Sequence, residues 1–492
     1  MIISFIFYFA VMLFIGLYFF FNDKDKSEKS YFLGGRKMGP WVTAMSAQAS
    51  DMSAWLLMGL PGSIMAFGFG QAWIGIGLVI GTALNWIVVA KRLRVFSGAY
   101  GDSITIPQYL TNRFFAKSKV LSVICAIVFL VSFTIYVASG FVAGAAVFTT
   151  LIPTLDSGTA MLLFAAIIII YTFLGGFKAV CWTDMIQGIL MISALIAIPI
   201  ITVATGDLDF SALNRVYTYN GVTYKFVGNL FSASASEIIS GLAWGLGYFG
   251  MPHILVRFMA IKDPSKMKRS STVAIIWVVF SLLCAIIIAY LGRLTVADEL
   301  LPYGNQKLVF ITLAKKYTAP AIAGILMAAV LAASMSTADS QLLVASSSFT
   351  SDIYKPLVRK NASDKELLWV GRLVVLAISL VAYFIASNHS SAAQAIMNLV
   401  ENAWGIFGAA FGPVIILSLF WKRFTYKGAV AGIVTGALTD IIWLVFLSGS
   451  TGIYEILPGF VAGLIAAVIA SHASKEPSEL VMKTFDEAVK TV

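Results

Sequence analysis

The fold of this chain is decided by the stretch Ala47-Gln48-Ala49-Ser50-Asp51-Met52-Ser53-Ala54, which places a carboxylate and small polar residues inside an apolar run. The run extends from about residue 41 to residue 65, long enough to cross a membrane. A charge at that depth costs about 2.5–3.5 kcal/mol, so such residues usually line a cavity, pair with another group or bind an ion. The alternative is that Asp51 only caps a helix or lies at the membrane interface.

The composition indicates a membrane protein. Of the 492 residues, 59% are hydrophobic and 12% are charged, whereas an average soluble domain has about 25% charged residues. The first apolar run, from Ile2 to Phe21, has no basic residue before it and is too long for the core of a signal peptide, so we expect it to be a retained span. The chain is therefore predicted to be an all-α polytopic membrane protein.

Apolar runs of about 20 residues or more predict the individual membrane spans. There are thirteen of them, with approximate ranges 2–21, 41–65, 71–90, 120–150, 158–175, 182–204, 233–256, 271–292, 318–348, 368–387, 391–420, 428–448 and 452–472.

Charged residues in alternate connections predict the orientation of the chain. Lys91, Arg92 and Arg94 lie in one connection, whereas Asp207 and Asp209 lie in another. By the positive-inside rule, we expect an external N-terminus and a cytoplasmic C-terminus in the cell membrane. The net charge of +10 is then a consequence of topology rather than a sign of nucleic-acid binding.

The segments between the spans argue against several classes of protein. The longest, near residues 205–232 and 293–317, are too short to bury a core of their own. The sequence has no phosphate-binding loop, and its cysteines and histidines lack the spacing of a metal site. An enzyme and an ATP-driven transporter are therefore not expected.

A second interrupted span is predicted where several glycines and a proline occur together, from Gly241 to Pro252. Backbone groups freed at such a break must face protein or water rather than lipid. The alternative is close helix packing through small residues. Spans 2 and 7 lie five apart, which is the spacing expected for two inverted repeats that each open with a discontinuous helix.

Span 9 contains a third polar feature, formed by Ser336, Thr337 and Asp339. Hydroxyl and carbonyl oxygens suit sodium, which is a hard cation. The alternative is that the two hydroxyls bond only to their own helix. With Asp51 elsewhere in the chain, we favour a cation site.

These stretches belong to longer blocks: Tyr31-Phe32-Leu33-Gly34-Gly35-Arg36, Ser50-Asp51-Met52-Ser53-Ala54-Trp55, Trp244-Gly245-Leu246-Gly247-Tyr248-Phe249-Gly250-Met251-Pro252-His253 and Met335-Ser336-Thr337. From about Tyr31 to Gly463 the chain resembles the sodium/solute symporter family, and within it the members that transport proline. The resemblance implies a leucine-transporter-type fold of thirteen helices, with two inverted five-helix repeats, one N-terminal extra helix and two C-terminal extra helices.

The implied organisation has five parts. They are an N-terminal extra helix and first cytoplasmic loop (1–40), inverted repeat 1 (41–204), inverted repeat 2 with its preceding external loop (205–421), two C-terminal extra helices (422–472) and a cytoplasmic tail (473–492).

The resemblance also implies the roles of individual residues. The sodium ligands would be the carbonyls of Ala49, Met52 and Ala333 and the hydroxyls of Ser336 and Thr337. The walls of a site for L-proline would be Trp55, Tyr136, Trp244, Tyr248 and Pro252, with Ser53 nearby. Asp51 would be required for sodium coupling, in our interpretation by indirect charge compensation, and Arg36 for gating. Aromatic faces suit the ammonium and ring of proline, although an aromatic cluster can also be simple packing.

Two acids remain outside this scheme. Asp184 matches an acid of the family near the start of span 6, and Asp339 follows the span 9 hydroxyls. Our hypothesis is that Asp184, Asp339 and Ser340 form a second cation or proton site. The alternative is that Asp339 pairs locally or reaches the cytoplasmic vestibule.

The predicted function is sodium-coupled uptake of L-proline by alternating access. The partners expected are L-proline, the co-transported sodium ion and membrane lipid, with no organic cofactor, nucleic acid or obligate protein partner. The alternatives are a symporter of another small solute, such as a different amino acid or a carboxylate, and a transporter-like sensor, which the short tail disfavours.

Overall fold

The computed structural model describes residues 1–22, 25, 27–388 and 392–492. The α-helices in this part of the chain are α1 (Ile2–Asn22), α2 (Glu28–Leu33), α3 (Pro40–Met52), α4 (Gly59–Phe67), α5 (Ala72–Leu84), α6 (Ala90–Ala99), α7 (Ile106–Asn112), α8 (Val120–Leu151), α9 (Ser157–Thr205), α10 (Ala235–Ala243), α11 (Pro252–Ala260), α12 (Met267–Thr295), α13 (Ala297–Leu300), α14 (Val309–Tyr317), α15 (Pro320–Ser348), α16 (Asp364–Ser387), α17 (Ala392–Phe420), α18 (Tyr426–Phe446), α19 (Ser448–Thr451), α20 (Ile456–His472) and α21 (Glu479–Thr491).

Several of these helices, alone or joined to an adjoining element, are long enough to cross a membrane. Within the described residues, nine helical segments pass a test of length and hydropathy, and the bent pair α10–α11 makes a tenth. Three shorter apolar segments, Ala54–Phe67, Ser157–Phe173 and Ile456–His472, fall below the length required. The predicted number of thirteen spans needs these three to cross as well, and it stays a prediction.

The predicted break in span 2 is confirmed. Helix α3 ends at Met52, and Ser53 takes a left-handed backbone conformation with φ 48° and ψ −174°. Its hydroxyl accepts a hydrogen bond from the Trp55 amide over 3.1 Å and so caps the short 3₁₀ segment Ala54–Leu56. Helix α4 then begins at Gly59. The chain therefore crosses this region as two half-helices rather than one.

The break in span 7 is also confirmed. Helix α10 ends at Ala243, a 3₁₀ segment runs over Trp244–Phe249, and α11 begins at Pro252. Proline is well tolerated as the first residue of a helix, because that position needs no N–H donor. The two halves are bent by 43°.

Close packing through glycine, the alternative for this stretch, is present as well. A Cβ placed on Gly245 would lie 2.4 Å from the Gly77 carbonyl oxygen, and one on Gly81 would lie 2.3 Å from the Gly245 oxygen. The break therefore presses directly on α5. The glycines have both roles, since they interrupt the helix and admit a neighbouring backbone.

Helix α15 lies at the centre of the molecule. It packs against α1, α3, α8, α9 and α16 and is buried over most of its length. Half-helices α3 and α11 both contact it, so the polar residues of spans 2, 7 and 9 are brought to one region.

Several boundaries differ from those predicted. Spans 5 and 6 are the two parts of α9, which meet at the non-helical backbone of Gly176 (φ 61°, ψ −174°) without an intervening loop. Span 3 continues through a π-helical turn, Asn85–Val89, into α6, and span 9 continues through a π-helical segment, Phe349–Val358. A π-helical segment keeps the backbone hydrogen-bonded through i→i+5 bonds. The polar residues at these positions therefore do not end the helices.

Two connecting elements were not predicted. The segment after α9 contains a hairpin, in which β1 (Val216–Tyr219) pairs antiparallel with β2 (Val222–Lys225). The C-terminal tail forms α21, whose Phe485 ring lies 5.2 Å from that of Phe96 on α6. Neither element has the length or hydropathy of a span.

Candidate functional site

The break between α3 and α4 faces the middle of α15. The Ser336 hydroxyl donates a hydrogen bond to the Ala49 carbonyl over 2.7 Å and lies 3.2 Å from the Ala333 carbonyl oxygen. The Thr337 hydroxyl donates to the same Ala333 oxygen over 3.0 Å. The alternative that these hydroxyls bond only to their own helix is therefore wrong for Ser336. Four of the predicted sodium ligands lie together between two helices.

Met52, the fifth predicted ligand, is the last residue of α3 and is buried. Carbonyls in the last turn of a helix have no partner within that helix. Ala49 belongs to the same turn, and its oxygen already accepts from Ser336. In between, the Ser50 carbonyl lies 3.1 Å from Nε2 of His253 on α11. The end of α3 thus directs the Ser50 carbonyl toward α11 and the Ala49 carbonyl toward α15.

Asp51 lies in this same turn. Its carboxylate accepts a hydrogen bond from the Tyr248 hydroxyl over 2.7 Å, and both side chains are buried. Tyr248 belongs to the 3₁₀ segment of the other break, so the contact joins the two interrupted spans directly. The alternative that Asp51 caps a helix does not match the contacts, because its carboxylate bonds to Tyr248 and Ser53 provides the cap.

A small cavity lies beside Asp51. Its lining residues are Asp51, Met52, Trp55, Leu78, Tyr136, Trp244, Tyr248, Val400 and Trp404. Four of the predicted substrate residues are therefore brought together, whereas Ser53 and Pro252 are outside this lining. The rings of Trp55 and Trp244 stack at 5.5 Å between centroids, with 25° between their planes.

Trp404 is a lining residue that the sequence did not reveal. Its indole nitrogen donates to the Trp244 carbonyl over 2.8 Å, and its ring meets Tyr248 edge-on at 5.0 Å. A Cβ on Gly247 would lie 1.9 Å from this indole nitrogen. Gly247 therefore admits Trp404 against the break, and a tryptophan far along the chain has no local signal that would predict this contact.

Two of the three residues of the predicted second site, Asp184 and Ser340, contact Arg257 on α11. The guanidinium Nη2 lies 3.1 Å from the Asp184 carboxylate and also donates to the Ser340 hydroxyl. Ser340 in turn donates to the Asp339 carboxylate over 3.2 Å, and Asp339 also accepts from the Tyr171 hydroxyl. The alternative of local pairing for Asp339 therefore matches the contacts observed. Arg257 was not predicted as a site residue.

Arg36 lies at the end of the molecule where α2, α6 and α11 meet. Its guanidinium donates to the Met259 carbonyl over 2.7 Å and the Ser103 carbonyl over 2.8 Å, and its Nε lies 2.8 Å from the Asp102 carboxylate. Partial burial raises the pKa of Asp102, but contacts with Lys29 and Arg36 outweigh that effect and leave the pKa below its usual value. Arg36 thus joins the loop before α3 to the end of α11.

The part of the chain that the structure describes has no cluster of three or more His, Cys, Asp or Glu residues that could hold a metal ion. The oxygen atoms at the α3–α15 contact are of another type, since they are uncharged carbonyls and hydroxyls. Such a set suits a hard monovalent cation better than a transition metal.

Comparison with known proteins assigns the fold and the family. A model of the Sodium:solute symporter family matches residues 31–436. The chain is 44% identical to a sodium/proline symporter of Escherichia coli, over 99% of this chain and 96% of that protein. It is 43% identical to a high-affinity proline transporter, PutP, of Bacillus subtilis, over 98% of this chain and all of that protein.

Solved structures have the same architecture at lower identity. A substrate-bound, outward-open Na⁺-coupled sialic acid symporter superposes with a TM-score of 0.77, at 21% identity, over 97% of this chain and 98% of that one. Mhp1, a nucleobase-cation-symport-1 family transporter in a closed conformation, gives 0.56 at 14% identity, over 94% and 95% of the two chains. The predicted leucine-transporter-type fold is confirmed. From the family model and the near full-length relatives, the chain belongs to the sodium:solute symporter family.

Proposed function

We propose that this membrane protein, a transporter rather than an enzyme, couples inward sodium movement to the uptake of L-proline by alternating access. The observation that carries the proposal is the contact between the Ser336 hydroxyl and the Ala49 carbonyl beside an aromatic cavity. It supports an ion site and a solute site that share the broken end of α3. The relatives named as proline transporters support proline as the solute.

Sodium would bind between α3 and α15, held by the carbonyls of Ala49, Met52 and Ala333 and the hydroxyls of Ser336 and Thr337. On binding, the Ser336 hydroxyl would turn from donating to Ala49 to offering its lone pairs to the ion. The ion would then join the two helices through several oxygens instead of one hydrogen bond. Because the site spans two elements, occupancy would favour the conformation in which they are close.

Proline would bind in the cavity lined by Trp55, Tyr136, Trp244 and Tyr248, with Ser53 and Pro252 shaping the backbone around it. Its ring and ammonium suit the faces of the indoles. Asp51 faces the same cavity and accepts from Tyr248, so it would balance the sodium charge without being a ligand. Met52 would contact both sodium and proline, because it is a proposed sodium ligand and also lines the cavity. Bound sodium would then raise the affinity for proline, and bound proline would raise the affinity for sodium.

One sodium per substrate is enough for accumulation. A potential of 100 mV contributes about 2.3 kcal/mol per charge, and a tenfold sodium gradient adds about 1.4 kcal/mol. Together, about 3.7 kcal/mol supports an accumulation of roughly 500-fold for a neutral zwitterion.

The remaining assignments follow the predicted topology. In this proposal the N-terminus is external, the C-terminus is cytoplasmic, and the two repeats are residues 41–204 and 205–421. Arg36 would then lie at the cytoplasmic side, where its bonds to Met259 and Asp102 hold the inner end closed. Transport would need no organic cofactor and no obligate protein partner.

The test is uptake of labelled L-proline into proteoliposomes, with an inward sodium gradient or with potassium in its place. We expect sodium-dependent uptake, and its loss in the double variant Ser336→Ala/Thr337→Ala. Ser334→Ala is the matched control, because that buried hydroxyl on the same helix bonds only to the Val330 carbonyl over 3.1 Å. Equal uptake in sodium and potassium would overturn the ion assignment.

Another small solute is the second candidate. The aromatic cavity recognises a compact apolar ring with an ammonium, a description that other amino acids partly meet. Competition against labelled proline by a panel of amino acids, carboxylates and sugars separates the two. Sodium-dependent binding of a competitor, with no uptake of proline, would show that the competitor is the substrate and would leave the sodium assignment unchanged.

A further inference from the structure

Arg257 holds four elements together inside the molecule. It lies on α11, just beyond the second break, and only 1% of its surface is exposed. Nε lies 3.1 Å from the Ser46 hydroxyl on α3, Nη1 donates to the His253 carbonyl over 2.6 Å, and Nη2 contacts Asp184 on α9 and Ser340 on α15. A single guanidinium thus connects both broken spans to the two helices behind them.

The position of Nη2 is the one that an added cation would take. It meets a carboxylate oxygen of Asp184 at 3.1 Å and the hydroxyl oxygen of Ser340, while Ser46 donates to the same carboxylate oxygen over 2.6 Å. A carboxylate and hydroxyls are hard oxygen ligands of the kind that bind sodium. Two of the three residues predicted for a second cation site are therefore already engaged by the protein's own positive charge.

We propose that Arg257 is a built-in cation that takes the place of a second sodium ion and so limits coupling to one sodium per substrate. The inference rests on the proposed function and deepens it. A guanidinium is permanently charged and remains attached to α11. It balances Asp184 in every cycle without being carried across the membrane, so its charge adds nothing to the charge moved with the substrate.

Removal of the guanidinium leaves the elements of an ion site. The second carboxylate oxygen of Asp184 is buried and has no hydrogen-bond partner among the described residues. Without Arg257, the carboxylate is an uncompensated buried charge, which has to be neutralised by a proton or by a counter-ion. Ser340 lies one helical turn beyond Ser336, about 5–6 Å away along α15. A second sodium ion would therefore bind next to the one at the predicted first site.

The experiment counts bound sodium ions per chain, with radioactive sodium and purified protein in detergent. We expect one ion for the unaltered protein and two for Arg257→Gln, with a steeper sodium dependence. The charge-conserving variant Arg257→Lys should bind one. The double variant Arg257→Gln/Asp184→Asn removes both members of the pair, and it should also bind one ion because the new site has lost its carboxylate.

In proteoliposomes, the charge moved per proline should rise from one in the unaltered protein to two in Arg257→Gln. Two ions bound by the unaltered protein, or one ion bound by folded Arg257→Gln, would overturn the inference. If Arg257→Gln does not fold, Arg257→Met, which also removes the charge, takes its place with the same expected count of two ions, and a count of one there would equally overturn the inference. Unaltered protein that binds no sodium would overturn the proposed function instead.

Discussion

The two broken spans reach the same cavity by different means. The break after α3 is made by a polar residue, Ser53, held at φ 48° and capped through its own hydroxyl. The break after α10 is made by glycines and Pro252, and an indole packs into the space that Gly247 leaves open. The first break ends in carbonyls that face other helices and suit the proposed ion, and the second ends in aromatic surface that suits the proposed solute. Polar capping therefore shapes the proposed ion site, and missing side chains shape the proposed solute site.

The largest effect is expected at the second break. Gly247→Ala places a methyl group 1.9 Å from the Trp404 indole nitrogen, so Trp404 or the 3₁₀ segment must move. We expect proline uptake to fall to background. Gly449→Ala is the control, because no atom lies within 4 Å of an added Cβ there. Normal uptake by Gly247→Ala would mean that the two breaks are not distinguished by steric demand.

A smaller effect is expected from the charge at the first break. Asp51→Asn keeps the size of the side chain but removes the charge that faces the cavity. We expect the sodium concentration for half-maximal uptake to rise by about 100-fold, within the usual range of coupling between sites. Uptake measured across sodium concentrations at fixed proline gives this value. An unchanged sodium dependence would place the coupling charge elsewhere.

The bond that links the two breaks should matter less than the charge itself. Tyr248→Phe removes the hydroxyl that donates to Asp51 over 2.7 Å and leaves the ring that lines the cavity. Loss of a hydrogen bond to a buried charge corresponds to about a tenfold effect. We expect that change in apparent sodium affinity, measured as for Asp51→Asn, with a smaller change in proline affinity. A larger loss in proline affinity would make the hydroxyl a substrate contact.

The smallest effect concerns the backbone of the first break. The conformation of Ser53 is one that non-glycine residues adopt at a cost of about 1–3 kcal/mol. Ser53→Gly relieves this strain and loses the cap on Trp55, whereas Ser53→Ala keeps the strain and loses the same cap. In thermal unfolding we expect the glycine variant to be the more stable of the two by about 1–3 kcal/mol. Equal stability would show that the turn carries no strain.

The sequence was most informative where local chemistry is unusual. A carboxylate in an apolar run and a cluster of glycines with a proline both predict breaks, because neither fits an ordinary membrane helix, and both breaks are present. The ligand atoms on Ala49 and Ser336 were inferred from a resemblance, since a pattern of local residues does not specify which helices meet.

Contacts between distant residues could not be predicted in this way. Trp404 is one aromatic residue in an apolar span, and nothing near it in sequence indicates that Gly247 will admit it. The predicted end of span 7 at residue 256 leaves Arg257 at its edge, where a basic residue is ordinary. Its burial depends on Asp184, Ser46 and Ser340, each on a different helix.

The stacked indoles around the cavity also give the protein an optical property. Trp55 and Trp244 lie 5.5 Å apart, and Trp244 and Trp404 lie 6.4 Å apart with nearly parallel rings. Chromophores this close share their excited states, so their ultraviolet absorption and emission depend on the spacing between them. A solute bound in the proposed site would change that spacing. The near-ultraviolet circular dichroism of the protein should then report occupancy without any attached dye.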